Sequence, residues 1–129
     1  MSAGEWMPVK EFPVTEAVVV GSVVTDNGAG SILNADAITE RTLGIVIEGQ
    51  ATVGENASVQ LAGLFEFARV DGTGTPIVVG DRLSPSAVDG IMIVHNELVG
   101  TVYAAKALAG ATTVTTIPVL IAEGRADNA

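Results

Sequence analysis

Cysteine is absent from this 129-residue chain, which also contains a single histidine, His95. Without cysteine the protein has no disulfides, no thiolate chemistry and no cysteine-ligated zinc, as expected for a protein made in a reducing cytoplasm. A zinc site needs three or four donors, and a lone imidazole falls short of that. We therefore interpret His95 as a solvated loop residue.

Positive charge is also scarce. Six Lys and Arg residues stand against 15 Asp and Glu residues, which gives a formal net charge of −9. Nucleic-acid binding needs cations that replace counterions along the phosphates, and here the cations are scattered one at a time. An anionic membrane surface would repel the chain for the same reason. The charge balance predicts neither a nucleic-acid partner nor a membrane partner.

Long apolar runs are missing as well. The longest, residues 17–24 and 117–122, fall short of the ~20 residues that a membrane-spanning helix requires. The N-terminus has neither the basic nor the apolar region of a signal peptide. We expect no transmembrane segment and no secretory signal.

Motifs for catalysis or cofactor binding are not found. The glycine pairs in residues 28–30 and 72–74 lack the third glycine and the following helix of a dinucleotide site, so they predict turns. No loop has the ligand spacing of a calcium site. The sequence predicts no catalytic, cofactor or metal site. One catalytic alternative stays open, an acid-lined hydrolase site that combines three carboxylates: Asp71, Asp81 and Asp89.

A strand pattern that occurs twice is the most informative feature of the sequence. Residues 43–54 carry Leu-Gly-Ile-Val and then Ala-Thr-Val-Gly, and residues 99–110 carry Val-Gly-Thr-Val and then Ala-Leu-Ala-Gly at the same spacing. Small-residue strands of this kind indicate a scaffold. The repeat predicts structural roles for four glycines, aligned as Gly44 with Gly100 and Gly54 with Gly110.

The rest of the chain is also typical of β-strands. Valine-rich segments alternate with turns such as Asn27-Gly28 and Asp89-Gly90 every ~8–12 residues. We count about eight to ten short strands and no helix long enough for a crossover, so we predict an all-β fold, a small β-barrel or sandwich. The predicted domain, with its internal pseudo-repeat, covers residues 17–122, and a flexible tail follows over residues 123–129.

Residues 1–16 are predicted to form an extended N-terminal arm. Pro8 and Pro13 have no backbone donor and favour extended neighbours, and the arm holds two large rings, Trp6 and Phe12. These four residues either anchor the chain on a partner or fold back onto its own barrel, and the sequence leaves both alternatives open. In the first case, deleting residues 1–16 would leave the fold intact.

Charged residues make up 16 % of the chain and hydrophobic residues 48 %. Soluble domains carry about 25 % charged residues, so this chain has few charges with which to cover its surface. Either Ala, Thr, Ser and Gly cover the surface, or copies of the chain or a partner cover part of it. We favour the second interpretation.

Several short segments and single residues together resemble the head decoration (capsid cement) proteins of tailed bacteriophages. In the first half they are residues 42–46 (Thr-Leu-Gly-Ile-Val), residues 51–54, Val59, Leu61 and Gly63. In the second half they are residues 80–83 (Gly-Asp-Arg-Leu), Gly90 and residues 98–102 (Leu-Val-Gly-Thr-Val). The resemblance covers roughly residues 17–122, and the proline-bearing arm is longer than in the shortest members.

The resemblance implies a structural virion protein, not an enzyme and without a cofactor. Such proteins are usually homotrimers bound to the outer surface of the expanded head, where they bridge major capsid subunits. It further implies synthesis in the cytoplasm of the bacterial host. An arm in similar proteins adds a strand to the shell by β-augmentation, which would make Trp6, Pro8, Phe12 and Pro13 the capsid contacts.

An alternative function is a carbohydrate- or host-surface-binding β module displayed on a virion. Sugar-binding faces usually present exposed aromatic rings, and this chain has one Trp, one Tyr and three Phe residues. With so few rings, we rank this alternative below the capsid protein.

Overall fold

Ten β-strands and no helix make up the described part of the chain, residues 8–95 and 102–125 of the computed structural model. None of these elements is a helix long and apolar enough to cross a membrane. The predicted all-β fold is confirmed, and the strand count agrees with the expected eight to ten. The strands are β1 (Val9–Pro13), β2 (Val23–Asp26), β3 (Ile32–Asn34), β4 (Gly44–Glu48), β5 (Asn56–Gln60), β6 (Gly63–Asp71), β7 (Arg82–Pro85), β8 (Met92–Val94), β9 (Val102–Ala107) and β10 (Val114–Arg125).

The first five strands and the last five follow the same pairing order. Strands β1 to β5 form a sheet in the order β1-β5-β4-β2-β3, and strands β6 to β10 form a closed barrel in the order β10-β6-β8-β7-β9. Each half begins with a strand that pairs antiparallel with the half's last strand. A parallel pair, Val70 with Met92, closes the barrel, and the parallel bridge between Val14 and Ile32 is its counterpart in the sheet. We call the two halves the first and the second repeat.

Pairing register corrects the equivalences drawn from the sequence. Gly44 lies opposite Val24 in the first repeat, and Ala105 lies opposite Leu83 in the second. The structural equivalent of Gly44 is therefore Ala105, five residues beyond the predicted Gly100. Both repeats contain many small residues, so an alignment based only on glycine and valine pairs the wrong positions of the two repeats.

A second pair of glycines shows the same slip. A Cβ on Gly49 would lie 2.8 Å from the Val18 carbonyl oxygen, and a Cβ on Gly110 would lie 3.0 Å from the Ile77 carbonyl oxygen. Val18 bridges to Gln50 and Ile77 bridges to Ala111 in the same way. Gly110 is thus equivalent to Gly49 and not to Gly54.

Each repeat has its own apolar core, and the first repeat also contributes to the core of the second. Successive side chains of a strand point to opposite faces. In β2, Val24 packs into the first core while Val23 packs with the second. Ile45 and Ala35 join Val23 on that outer face, and all three are fully buried. The outer face of the first repeat is therefore the contact surface for the second.

Backbone hydrogen bonds from Gly90, in the turn between β7 and β8, fix this junction. The Gly90 amide donates to the Ala35 carbonyl oxygen (3.0 Å), and the Val23 amide donates to the Gly90 carbonyl oxygen (3.1 Å). A Cβ at Gly90 would lie 2.6 Å from Ser22 Oγ, so only glycine allows this approach. The junction is directional: a turn of the second repeat enters the first repeat.

The C-terminal strand is longer than predicted. β10 runs to Arg125, where Gly124 and Arg125 pair with Tyr103 and Val102 of β9. The tail was expected to begin at residue 123, so its first three residues belong to the barrel. Residues 126–129 lie outside the described part of the chain.

Candidate functional site

The described part of the N-terminal arm is a strand of the chain's own sheet. β1 pairs antiparallel with β5 from Val9 opposite Gln60 to Pro13 opposite Asn56. The Leu61 amide also donates to the Pro8 carbonyl oxygen (2.7 Å). This pairing favours the fold-back alternative for these residues. It also argues against the expectation that the fold survives removal of residues 1–16.

Of the four predicted contact residues, three are described. Phe12 is half-buried and packs against the first core beside residues such as Val14. Pro8 and Pro13 are half-buried at the two ends of β1. Trp6 lies outside the described residues. All three residues keep part of their surface open, and the Phe12 ring packs its buried part against the protein's own core.

The four predicted structural glycines have different surroundings. At Gly44 a Cβ would collide with the Gln60 carbonyl oxygen, because β4 and β5 approach closely there. Gly54 lies in an exposed turn with a φ of 91°, a conformation that favours glycine. Gly110 lies against the carbonyl of Ile77, and Gly100 lies outside the described residues.

The three carboxylates of the hydrolase alternative each serve a separate turn. Asp71 Oδ1 accepts a hydrogen bond from the Thr73 amide (2.8 Å), which lowers the pKa of Asp71. Asp81 Oδ2 accepts from the Val78 amide (2.9 Å), and Asp89 is exposed between β7 and β8. Within residues 8–95 and 102–125, no three His, Asp or Glu side chains are grouped so that they could hold a metal.

His95 is buried, which corrects its interpretation as a solvated loop residue. Its exposure is 4 %, and its ring meets the Tyr103 ring edge-on at 5.6 Å. The guanidinium of Arg82 lies 4.8 Å from the centre of the same Tyr103 ring. The His95 amide donates to the Arg82 carbonyl oxygen (2.8 Å), as the Ala35 amide does to Val23 (3.0 Å). His95 is thus the structural counterpart of Ala35, a buried residue of the core. The sequence shows this equivalence only when the two repeats are aligned in the correct register.

Aromatic rings in the described residues serve mainly to pack the protein. Phe65 is buried and meets Phe67 edge-on at 6.4 Å, and Phe67 is 55 % exposed. Tyr103 is half-buried under Arg82. With Phe12 and Phe65 in the cores, Phe67 is the most open ring of the described part. One open phenyl ring offers a small stacking platform for a sugar.

A shallow groove of about 280 Å³ lies beside β2. Thr25 Oγ1 donates to the Arg41 carbonyl oxygen (2.7 Å) inside it. Its size is at the lower limit of ligand pockets, and Asp26 Oδ1 in its lining accepts a hydrogen bond from the Gly28 amide (2.8 Å). Its lining consists of Thr25, Asp26, Arg41, Thr42 and Leu43.

Exposed aliphatic side chains are the most distinctive surface feature. Leu64 of β6 lies directly opposite Leu120 of β10, and both are exposed. Several valines outside the cores are also more than 45 % exposed. Single exposed valines are common on folded proteins, whereas apolar side chains that lie side by side, as Leu64 and Leu120 do, are the stronger candidates for an interaction surface. The valines are Val19, Val20, Val53, Val78, Val79, Val88 and Val114.

Comparison with known proteins identifies the fold. No protein-family model matches the chain, and no curated protein matches its sequence. Among solved structures, the chain is similar to the crystal structure of the head fiber gp8.5 N base in bacteriophage phi29. The TM-score is 0.66 at 16 % sequence identity, over 91 % of this chain and 95 % of that chain. The two proteins share a fold over nearly their whole length.

Proposed function

We propose that this chain is a structural protein of a bacteriophage head, which binds the outer capsid surface and stabilises the expanded shell by bridging major capsid subunits. The observation that carries the proposal is the fold shared with the phi29 head fiber base, which covers 91 % of the chain. The resemblance of residues 17–122 to capsid decoration proteins supports the same location, and it was drawn from the sequence alone.

Surface chemistry supports a role in contact rather than in catalysis. Asp71 and Asp81 each accept a hydrogen bond from a backbone amide of their own turn, which is the ordinary structural role of an acidic turn residue. Exposed apolar side chains that lie side by side, such as Leu64 and Leu120, instead provide area for burial against a partner. The acidic net charge of −9 is compatible with the outside of a shell and unfavourable next to packaged DNA.

The proposed partners are the major capsid protein and two further copies of this chain, in a homotrimer. A closed ring of identical subunits covers apolar surface without leaving an open interface. Three copies also bind together, so that weak single contacts add to a durable one. The proposed contact surface includes Pro8 and Pro13 at the ends of β1 and Trp6, which precedes that strand. Phe12 belongs to the proposed surface through the part of its side chain that the first core leaves exposed.

Co-sedimentation with capsids tests the proposal. Purified chain is mixed with expanded heads that lack it, and bound protein is measured in the pelleted heads. We expect saturable binding, and decorated heads should release their DNA at a higher temperature than bare heads. The carbohydrate-binding alternative predicts specific binding in a glycan array instead. Absence of the chain from the pellet would contradict a role on the head.

A further inference from the structure

One exposed turn is built twice, once in each repeat. Val19-Val20-Gly21 and Val78-Val79-Gly80 share the sequence Val-Val-Gly. The Ser22 amide donates to the Val19 carbonyl oxygen (3.1 Å), and the Asp81 amide donates to the Val78 carbonyl oxygen (3.0 Å). The glycines have φ angles of 90° and 96°, as the third residue of a type II turn requires. We call these segments the first and second valine turn.

Both valine turns are held firmly on the cores. The first follows Val18, whose backbone exchanges two hydrogen bonds with Gln50 (3.0 and 2.9 Å). The second follows Ile77, which exchanges two with Ala111 (2.8 and 3.0 Å). Val18 and Ile77 are themselves buried. Because their anchors are fixed and valine has few rotamers, the turns lose little conformational entropy when a partner covers them.

The valines of both turns are open to solvent. Val19, Val20, Val78 and Val79 have between 47 % and 67 % of their surface exposed. Turn positions normally favour Gly, Pro, Asn, Asp or Ser, and these four valines are too exposed to contribute much to either core. The same unfavourable choice in both repeats indicates a surface that binds something.

We propose that each valine turn binds one copy of the same capsid subunit, so that a single chain engages two neighbouring copies. This inference rests on the proposed function and names its contact. Two copies of one turn, in the same structural frame, fit a partner that presents the same small apolar depression twice. A shell built from one repeated subunit provides such a partner. The second contact then forms at a high effective concentration once the first has formed.

The test uses full-length variants and the head-binding assay. Val19→Ser with Val20→Ser removes the first turn's methyl groups, Val78→Ser with Val79→Ser removes the second's, and a quadruple variant removes both. All keep the glycines and the turn hydrogen bonds. The control, Val53→Ser with Val88→Ser, changes two exposed valines in other turns, one in each repeat.

We expect each double variant to bind heads about 30-fold more weakly or worse, from the lost apolar burial and the lost bivalency. The quadruple variant should show no measurable binding, and the control should bind like the unchanged chain. Each variant should keep its thermal midpoint and its mass in solution, because the substituted side chains are exposed.

Three outcomes would overturn the inference. If both double variants bind heads as well as the unchanged chain does, the valine turns are not part of the contact with the head. An effect confined to one turn would contradict the bivalent arrangement. A smaller oligomer for the double variants would assign the turns to contacts between copies of this chain. If the unchanged chain itself fails to bind heads, the proposed function fails first, which separates the two results.

Discussion

The two repeats use one pairing scheme but differ on their outer faces. In the first, Val23 lies opposite Ile45, and both are buried against the second repeat. In the second, Arg82 and Lys106 occupy the equivalent opposed positions, and both are exposed. The order in which the strands pair therefore does not depend on whether the outer face is buried or exposed. The side chains on the outer face differ between the repeats. They are apolar where the other repeat covers the face, and charged where the face is exposed to solvent.

Removal of residues 1–16 should have the largest effect on stability, and the effect should fall on the first repeat. The first repeat would lose β1 and buried Val14, while the second would keep all five of its strands. We expect a loss of at least about 4 kcal/mol in unfolding free energy, since deleting a buried apolar side chain alone costs about 2–5 kcal/mol. Denaturant unfolding followed by circular dichroism measures it. Deletion of residues 1–7, which leaves β1 whole, is the control, and equal stability of both truncations would contradict the role of β1.

Exchange of one face residue should have the next largest effect. Ile45→Lys places the residue of the second repeat into the buried junction, where an unpaired charge costs about 3–5 kcal/mol. The reverse exchange, Lys106→Ile, lies on an exposed strand face and should change stability by about 0.5 kcal/mol or less. Urea titration of both variants gives the two values. Similar values would mean that the two faces are not differently covered.

Two glycines at equivalent turns provide the finest comparison. Gly90 and Gly30 both have positive φ angles, 73° and 88°, so alanine strains the backbone at both by about 1–2 kcal/mol. Only at Gly90 does the added Cβ meet Ser22, since Gly30 has open space around it. We expect Gly90→Ala to lower the melting temperature by several degrees more than Gly30→Ala. Equal shifts would show that the junction tolerates a wider turn.

Strand content was predictable because its signal is local. Runs such as Val23-Val24 and turns such as Asp89-Gly90 define elements within a few residues. The register between repeats was not predictable in this way, because hydrogen-bonded partners far apart in sequence determine it. Gly44 matches Gly100 by residue type, whereas its structural counterpart is Ala105.

Pro118 shows how a correct local rule can give an incomplete prediction. Proline donates no ladder hydrogen bond, so the sequence indicates an edge strand or a free side at this position. In the structure β10 has neighbours on both sides, and the pairing with β6 shifts register between Ile117 and Val119. The Pro118 carbonyl still accepts from the Leu108 amide (3.0 Å). The register shift thus accommodates a proline in a strand that has neighbours on both sides.

The candidate surface was the least predictable part. Exposure of the valine turns depends on which side of the sheet and which side of the barrel face solvent, and no single-sequence pattern carries that information. For Phe12 the sequence leaves two alternatives open, a contact with a partner and a return to the protein's own barrel, because an aromatic ring in a proline-bearing arm fits either. Its actual contact, the first core, depends on β1 returning to β5.

Closure of the second repeat by the Val70–Met92 parallel pair has a consequence for solubility. Valine-rich segments with little charge are prone to stack into cross-β fibrils when their edges are free. In a closed barrel every strand has hydrogen-bonded neighbours on both sides. An incoming chain therefore finds no free strand edge with which its backbone could pair. On the proposed phage head, many such molecules would reach a high local concentration without seeding amyloid from the barrel strands.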